Sequence, residues 1–442
     1  DGIRDRSVSR GSEMCTRDRF TTLLFMSFIG CSDNDQPDET IIDPKEQWSA
    51  TLRGDGEILG AYPDLFSNYW EYTYNMNEYP DVALRIEGQF PHARYFSFSL
   101  YDDETGSAIG GINDHEIIPD EGSENPFVST SEKDNRFTIY VVPASMDETQ
   151  IAKLPSENIC RVNADIKRLA ICIRHYLGTN ANGDKDEYGG VALPVIKGID
   201  IHSLKEIQAP ERTESNIEKV TGQSFSQKSD ENRDVPFFLA PKGRYYPNNS
   251  TAYLYARTHI HADSVLIFSF IPVPLPRTVE EYEGAKARYW SICLGATSNT
   301  RSYYSIYDKE ANAKEGEKAT FIICLKQNSR LAEIQAKVEA QKQLGAHWNL
   351  FVWDSEKQDV DGKPIGDVIA IMYRNILPDK DWEYSITRMT PTEYKDDEGE
   401  PIDKVTDPDK QLAHKALGDY GPYGFKYAAN DFLRDDFEEE TY

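Results

Sequence analysis

The chain has 442 residues, room for two domains with cores of their own. Its formal net charge of −27, from 75 acidic against 48 basic residues, argues against nucleic acid and anionic membrane surfaces as partners. A hydrophobic fraction of 39% and a mean hydropathy of −0.62 indicate a soluble, surface-rich chain.

Residues 1–13 precede Met14 and read as an upstream or non-native extension. Arg17 and Arg19 then lead into an apolar stretch from Phe20 to Gly30, followed by Cys31. A basic region before a short apolar one is the pattern of a secretory signal. Gly30-Cys31 resembles a bacterial lipoprotein processing site, which makes Cys31 the lipidated residue and the membrane a partner through that anchor. Ser32 after it points to the outer membrane or cell surface. The stretch is too short to span a bilayer, and the competing reading is a core helix behind a wrong start. Residues 32–47 form a polar tether.

Strand-like segments follow in a repeated order. In the first half they are Val82–Gly88, Ala93–Asp102, Phe137–Val142 and Ile171–Gly178. Val82, Leu84 and Ile86 alternate with Arg85 and Glu87, as in a strand buried on one side. The second half repeats the series as Val265–Ile271, Ala287–Ala296, Thr320–Leu325 and Ile371–Pro378. Val265–Ile271 is nearly continuous in apolar residues, which predicts burial on both faces. Arg94 and Arg174 stand 80 residues apart, and Arg288 and Arg374 stand 86 apart. The crossing made by Gln89–His92 in the first half becomes a longer excursion, Pro272–Lys286, in the second. A helix is expected from Ser329 to Leu344, with Leu331, Ile334, Val338 and Leu344 roughly on one side and Gly345 ending it. The expected layout is a first β-sandwich over 48–209, a linker over 210–233, a second sandwich over 234–424 and an acidic tail over 425–442. The fold class is all-β: two tandem related sandwiches with one short helical insertion.

Three segments carry a family resemblance: Pro91-His92-Ala93-Arg94-Tyr95-Phe96-Ser97, Asp114-His115-Glu116 through Asn125-Pro126-Phe127, and Tyr188-Gly189-Gly190-Val191-Ala192-Leu193-Pro194. The second half adds Pro247-Asn248-Asn249-Ser250 and Ala287–Cys293. Here the chain resembles exported bacterial proteins whose halves are similar to the family called domain of unknown function 1214. The resemblance covers most of the chain after about Trp48. It implies antiparallel, jelly-roll-like sandwiches and brings no established reaction. Thr258-His259-Ile260-His261 and the acidic segment 354–366 depart from the family pattern.

Cysteine usage suits export. With Cys15 removed in the signal and Cys31 lipidated, Cys160, Cys172, Cys293 and Cys324 remain. The repeat suggests disulfides Cys160–Cys172 and Cys293–Cys324, with buried free thiols as the alternative.

His259 and His261 lie two apart on a strand and share a face, as cupin-like metal sites begin. A third ligand, such as His347, His175 or a carboxylate, has no placement by spacing. A divalent metal there is the one cofactor the sequence raises; with Thr258 and Ile260 on the core side, the histidines could equally face solvent. Arg94, Arg174, Arg288 and Arg374 recur inside apolar strands and must be paired. They are either scaffold ion pairs or forks for a carboxylate or phosphate. Tyr245, Tyr246 and Asn248, opening the second half, suit a polyol or sugar, or else belong to a linker. Asp114-His115-Glu116 could serve acid–base work, although Gly122, Asn125 and Pro126 mark a shaped loop.

No P-loop, dinucleotide fingerprint, Gly-x-Ser-x-Gly elbow or His-Glu-x-x-His is present. The expectation is an exported, lipid-anchored surface protein that binds a small molecule or glycan in a cleft between its domains. The alternatives are a metal-dependent or carboxylate-based hydrolase and a structural protein of the cell envelope.

Overall fold

The computed structural model describes residues 44–53, 62–130, 135–217, 232–240, 246–389 and 411–440. The signal, Cys31 and nearly all of the tether lie outside the described residues, as does Tyr245.

Runs of β-branched and aromatic residues broken by Gly, Pro, Asn and Asp produce strands and turns almost throughout. The first half contains β1 (Ser49–Arg53), β2 (Ser67–Asn75), β3 (Val82–Gln89), β4 (Tyr95–Asp102), β5 (Ser107–Asn113), β6 (Arg136–Val142), β7 (Ile159–Arg161), β8 (Arg168–Tyr176), β9 (Val195–Asp200) and β10 (Glu206–Ile207). The second contains β11 (Asp234–Pro236), β12 (Phe238–Leu239), β13 (Thr251–His259), β14 (Ser264–Phe270), β15 (Tyr289–Ala296), β16 (Ser302–Tyr307), β17 (Ala319–Leu325), β18 (Trp348–Trp353), β19 (Val368–Ile376) and β20 (Tyr423–Ala428).

Each half folds into two five-stranded sheets, so the protein is all-β. Their orders are β1-β2-β8-β4-β5 and β10-β9-β3-β6-β7, then β12-β13-β19-β15-β16 and β11-β20-β14-β17-β18. The duplication holds to the residue. Ser97 lies opposite Arg174 in the first half, and Ser291 lies opposite Arg374 in the second. A bulge follows Leu100, and its equivalent follows Leu294.

Two pairings are parallel, β6 with β7 and β17 with β18, so the sandwiches are not wholly antiparallel. A parallel neighbour needs a crossover. The first half makes it with the short helix Glu148–Ile151 and the second with the helix Leu331–Gln343. The expected insertion is therefore the longer form of a connection that both halves share. Ile334 and Val338 pack it onto the outer face formed by Val265, Ile267, Ile322, Cys324 and Phe425. Leu344 does not join them: it caps the helix and is 80% exposed, with Gly345 at positive φ just after it. The other face of β14 fills the second core with Leu266, Phe268 and Phe270, so its apolar run is buried on both sides.

Three boundaries differ from the sequence reading. The strand Tyr423–Ala428 lies between β11 and β14, and Phe432 beyond it is fully buried, so residues 425–432 are not tail. Its length and its central Lys426 hide it in sequence; that lysine reaches the His259 carbonyl at 3.4 Å. At the other end, the Gln47 side chain bonds both backbone groups of Ile196 at 2.7 and 2.8 Å, which places it in the first sandwich. Residues 210–217 also belong there, since Thr213 N–H bonds the Thr73 carbonyl and Ile217 is buried.

The two sandwiches meet through the outer faces of the β2-β8-β4 and β13-β19-β15 sheets. Tyr69, Tyr95, Tyr101 and Tyr176 from one side pack with Tyr246, Tyr289 and Ile376 from the other.

Candidate binding cleft between the two halves

The segments leading into β2 and β13 are Tyr62-Pro63-Asp64 and Tyr246-Pro247-Asn248. Each crosses to the opposite half. Tyr62 N–H donates to the Thr300 carbonyl, and Tyr246 N–H to the Gly106 carbonyl. Both tyrosines have positive φ, 47° and 51°, uncommon for a bulky residue and here held by matching bonds. Arg374 Nη2 donates to the Tyr62 carbonyl at 2.8 Å, and Arg174 Nη2 to the Tyr246 carbonyl at 2.9 Å. Tyr289 donates its hydroxyl to Asp64 at 2.9 Å, and Tyr95 donates its own to Asn248 at 3.0 Å. The molecule thus has an approximate two-fold relation between its halves.

Arg174 and Arg374 are buried and held in this scaffold, Arg374 with its Nε lacking a hydrogen-bond partner. Arg174 also donates to Ser99 and lies over the rings of Tyr69 and Tyr101. Arg374 lies over Tyr253, 3.5 Å from the Asp64 carboxylate. Asp64 in turn accepts from Ser291 at 2.5 Å. Tyr246 bonds the buried Asp103 carboxylate at 2.7 Å, and Asp103 also receives Arg168 and Asn216.

The other two arginines pair across the interface. Arg288 bonds Asp114 of the first half, and Arg94 lies 3.7 Å from Asp308 of the second. Asp114 and Asp308 are equivalent residues. Their backbone N–H groups donate to the Phe96 and Trp290 carbonyls, which are themselves equivalent. Burial pushes both carboxyl groups upward, each opposed by its arginine. The surroundings of the two arginines differ, however. Arg288 is closed in, with the Tyr282 ring 4.1 Å from its guanidinium carbon. Arg94 gives its Nε to the Arg288 carbonyl and keeps an edge on a cleft.

That cleft has a volume of about 740 Å³ and draws residues from both halves. Phe66, Phe127, Tyr282 and Tyr307 supply aromatic surface, and Arg94, Lys185, Arg277 and Lys309 supply positive charge. Among the described residues Glu310 is the one carboxylate lining it. The Phe66 and Tyr307 rings are 4.5 Å apart. A smaller cavity of about 180 Å³ sits at Arg288, lined also by Asn113, His115, Glu116 and Leu377. These occupy the positions that Tyr307, Lys309, Glu310 and Leu177 hold in the large cleft. Tyr282, from the excursion absent in the first half, lines both spaces.

Of the sequence candidates, Arg94, Arg174, Arg288, Arg374, Tyr246 and Asn248 meet at this interface, and of these only Arg94 faces the large cleft. His259 and His261 do not. His259 ends β13, eight residues from Thr251 and roughly 26 Å along the strand, and His261 lies just beyond the strand. Their rings touch at 4.2 Å, and His259 pairs with Asp367 at 3.0 Å. His347 instead meets Glu317, and His175 is buried in the first core, where burial lowers its pKa to about 4. Among the described residues no group of three or more His, Cys, Asp or Glu side chains is placed for a metal ion.

The four cysteines are free and buried, which corrects both expected disulfides. Each expected pair points to different layers. Cys160 faces the first core, whereas Cys172 faces the interface. Cys293 bonds Ser305 in the sheet that meets the first half, whereas Cys324 faces the helix on the outer sheet. Burial pushes all four thiols up, to about 11 or 12.

The Asp114–Phe127 segment is a shaped loop. Asn125 organises it by donating to the Asp114 and Ile117 carbonyls and accepting from Phe127 N–H. Sequence reasoning missed the paired leaders and the cleft residues Phe66, Lys185, Tyr282, Tyr307 and Lys309. The leaders had a signal: Tyr-Pro-Asx recurs 184 residues on, in register with Tyr69 and Tyr253.

No protein-family model matches the chain, and no curated protein matches it. Among the solved structures similar to the chain are two bacterial proteins. One, an uncharacterised protein from Burkholderia cenocepacia, is 11% identical with a TM-score of 0.44, over 75% of this chain and 78% of that one. The other, from Vibrio parahaemolyticus, is 8% identical with a TM-score of 0.38, over 75% of this chain and 89% of that one.

Proposed function

We propose that the chain is a ligand-binding protein of the bacterial cell envelope, exported and anchored through Cys31, which takes a small molecule or glycan into the cleft beside Arg94. The observation that carries this reading is the cleft itself. It is concave, of ligand size, and walled by aromatic rings and polar groups from two halves locked in register. The envelope placement rests on Arg17, Arg19, the apolar stretch and Cys31. The same proposal assigns both halves to the domain 1214 family, on segments 91–97, 114–127 and 188–194 of the first half and 247–250 and 287–293 of the second.

A panel of small molecules and glycans, read by thermal shift on the full chain, tests the binding role. Thr278→Trp is the control, since Thr278 is exposed on the cleft wall and makes no cap bond to its 3-10 turn. The reading expects hits that raise the melting temperature of the wild type and lose that effect in T278W. It fails if every hit survives the substitution. Incorporation of labelled palmitate into the wild type but not into Cys31→Ser tests the anchor.

A further inference from the structure

The two-fold relation provides an internal comparison. Scaffold residues recur in both halves with the same partners, as Arg174 and Arg374 do. Where equivalent positions part company, the difference is not demanded by the scaffold. The positions around Arg94 and Arg288 part in three ways. First, the excursion Pro272–Lys286 places Tyr282 over Arg288 and leaves only the small cavity there. Second, Arg288 hydrogen-bonds its aspartate, whereas Arg94 stands 3.7 Å from Asp308 without such a bond. Third, Lys309 and Tyr307 occupy the positions that His115 and Asn113 hold at the closed site, adding a cation and a ring on the open side.

Charge follows the same asymmetry. In a chain of net charge −27, the open cleft gathers Arg94, Lys185, Arg277 and Lys309, with Glu310 the one carboxylate lining it among the described residues. Arg277 is 81% exposed and paired with Glu315 at 3.5 Å, so it is a rim charge. Lys185 and Lys309 are exposed, and no ion pair engages either among the described residues. Arg94 is the deeper of the cations, its side chain 13% exposed, and its planar fork suits a two-oxygen anion. The Phe66, Tyr307 and Tyr282 rings line the same space, as surfaces for a ring or an apolar body.

We propose that the cleft selects an anionic ring compound, a carboxylate or phosphate carried on a sugar or aromatic ring. Arg94 receives the anionic group, Lys185 and Lys309 add attraction at the mouth, and the aromatic wall holds the ring. This rests on the cleft being the binding site and names the class of ligand it takes.

The test is calorimetric titration of the full chain with glucuronate, glucose 6-phosphate and glucose. The variants are the double substitution Lys185→Gln/Lys309→Gln, which touches only exposed side chains, and T278W. At least one anion is expected to bind about tenfold more tightly than glucose, with an affinity that falls as salt is raised. The double variant is expected to weaken that anion several-fold and to leave the melting temperature unchanged. Comparison of the two anions tells a carboxylate from a phosphate preference. The proposal is overturned if glucose matches both anions, if neither anion binds, or if anion binding is unchanged in the double variant. Glucose binding as tight as that of either anion, and abolished by T278W, would sink the anion preference and leave the cleft reading standing. Binding of any probe that T278W leaves intact would sink the cleft reading itself.

Discussion

Arg94 donates its Nε to the backbone carbonyl of Arg288, 3.0 Å away, and Arg288 holds the equivalent position in the other half of the chain. The two arginines therefore meet at the approximate two-fold relation and then face different surroundings. Removing each one's aspartate should expose the difference. Asp114→Ala strands a buried guanidinium and is expected to cost about 3–5 kcal/mol. Asp308→Ala is expected to cost nearer 1 kcal/mol, since Arg94 can turn to water in the cleft. Denaturant melts of both variants check the order, and equal losses would contradict the asymmetry.

Glu71 is buried on β2 beside Asp103 and Cys172, and neither of its carboxyl oxygens has a hydrogen-bond partner of normal geometry. Burial pushes its pKa from 4.5 to about 8; Ser215 and Thr73 oppose the rise and Asp103 adds to it. The folded state therefore keeps this proton where the unfolded chain has lost it. Stability from the neutral carboxyl is complete below pH 4.5 and declines as pH rises towards 8, by a few kcal/mol in total. Glu71→Gln should flatten that slope, and the stability difference between variant and wild type should grow in the variant's favour from pH 5 to pH 8. A pH-independent difference would contradict this.

The thiols offer a cleaner test. With Cys160, Cys172, Cys293 and Cys324 free and their pKa values raised, a reductant should leave the melting temperature of the folded region unchanged. Ellman's reagent at pH 8 should reach these four only after unfolding. A drop in melting temperature with dithiothreitol would mean that a disulfide exists.

Asn125 links stability to the cleft. Its three side-chain bonds fix the loop whose Pro126 and Phe127 line the cleft. Asn125→Ala should cost about 1–3 kcal/mol by leaving buried backbone groups unpaired. It should also weaken whatever ligand the wild type binds. Titration of variant and wild type under native conditions separates the two effects.

The duplication was legible because the repeated strands keep both residue type and spacing. Arg94, Arg174, Arg288 and Arg374 were singled out as needing partners inside apolar strands. Arg174, Arg288 and Arg374 are buried and Arg94 is half-buried; three of them stand beside an aspartate, while Arg174 is held by Ser99 and the Tyr246 carbonyl. Their partners were not legible, because Asp114 and Asp308 reach across to the other half, which no local pattern encodes. The disulfide expectation failed on strand geometry: cysteines counted by half ignore which face of the sheet each one takes. Cys172 lies two residues from Arg174 and so shares its face, a clue that was present. The cleft was out of reach, since its walls come from segments near residues 66, 92, 127, 180, 279 and 308. Only the folded register brings them together. The last strand was missed because Lys426 and the acidic run after it mask a strand of six residues.

The reciprocal leaders make the halves interdependent. Residues 62–64 complete the second sandwich, and residues 246–248 complete the first. Cut from its sibling, the first half would carry Arg174 without the Tyr246 carbonyl and Tyr95 without Asn248, while its own Asp64 carboxylate would lose the Tyr289 and Ser291 hydroxyls. Two such pieces made as separate polypeptides would each be an unfinished clasp, and mixing them should restore one fold where neither stands alone.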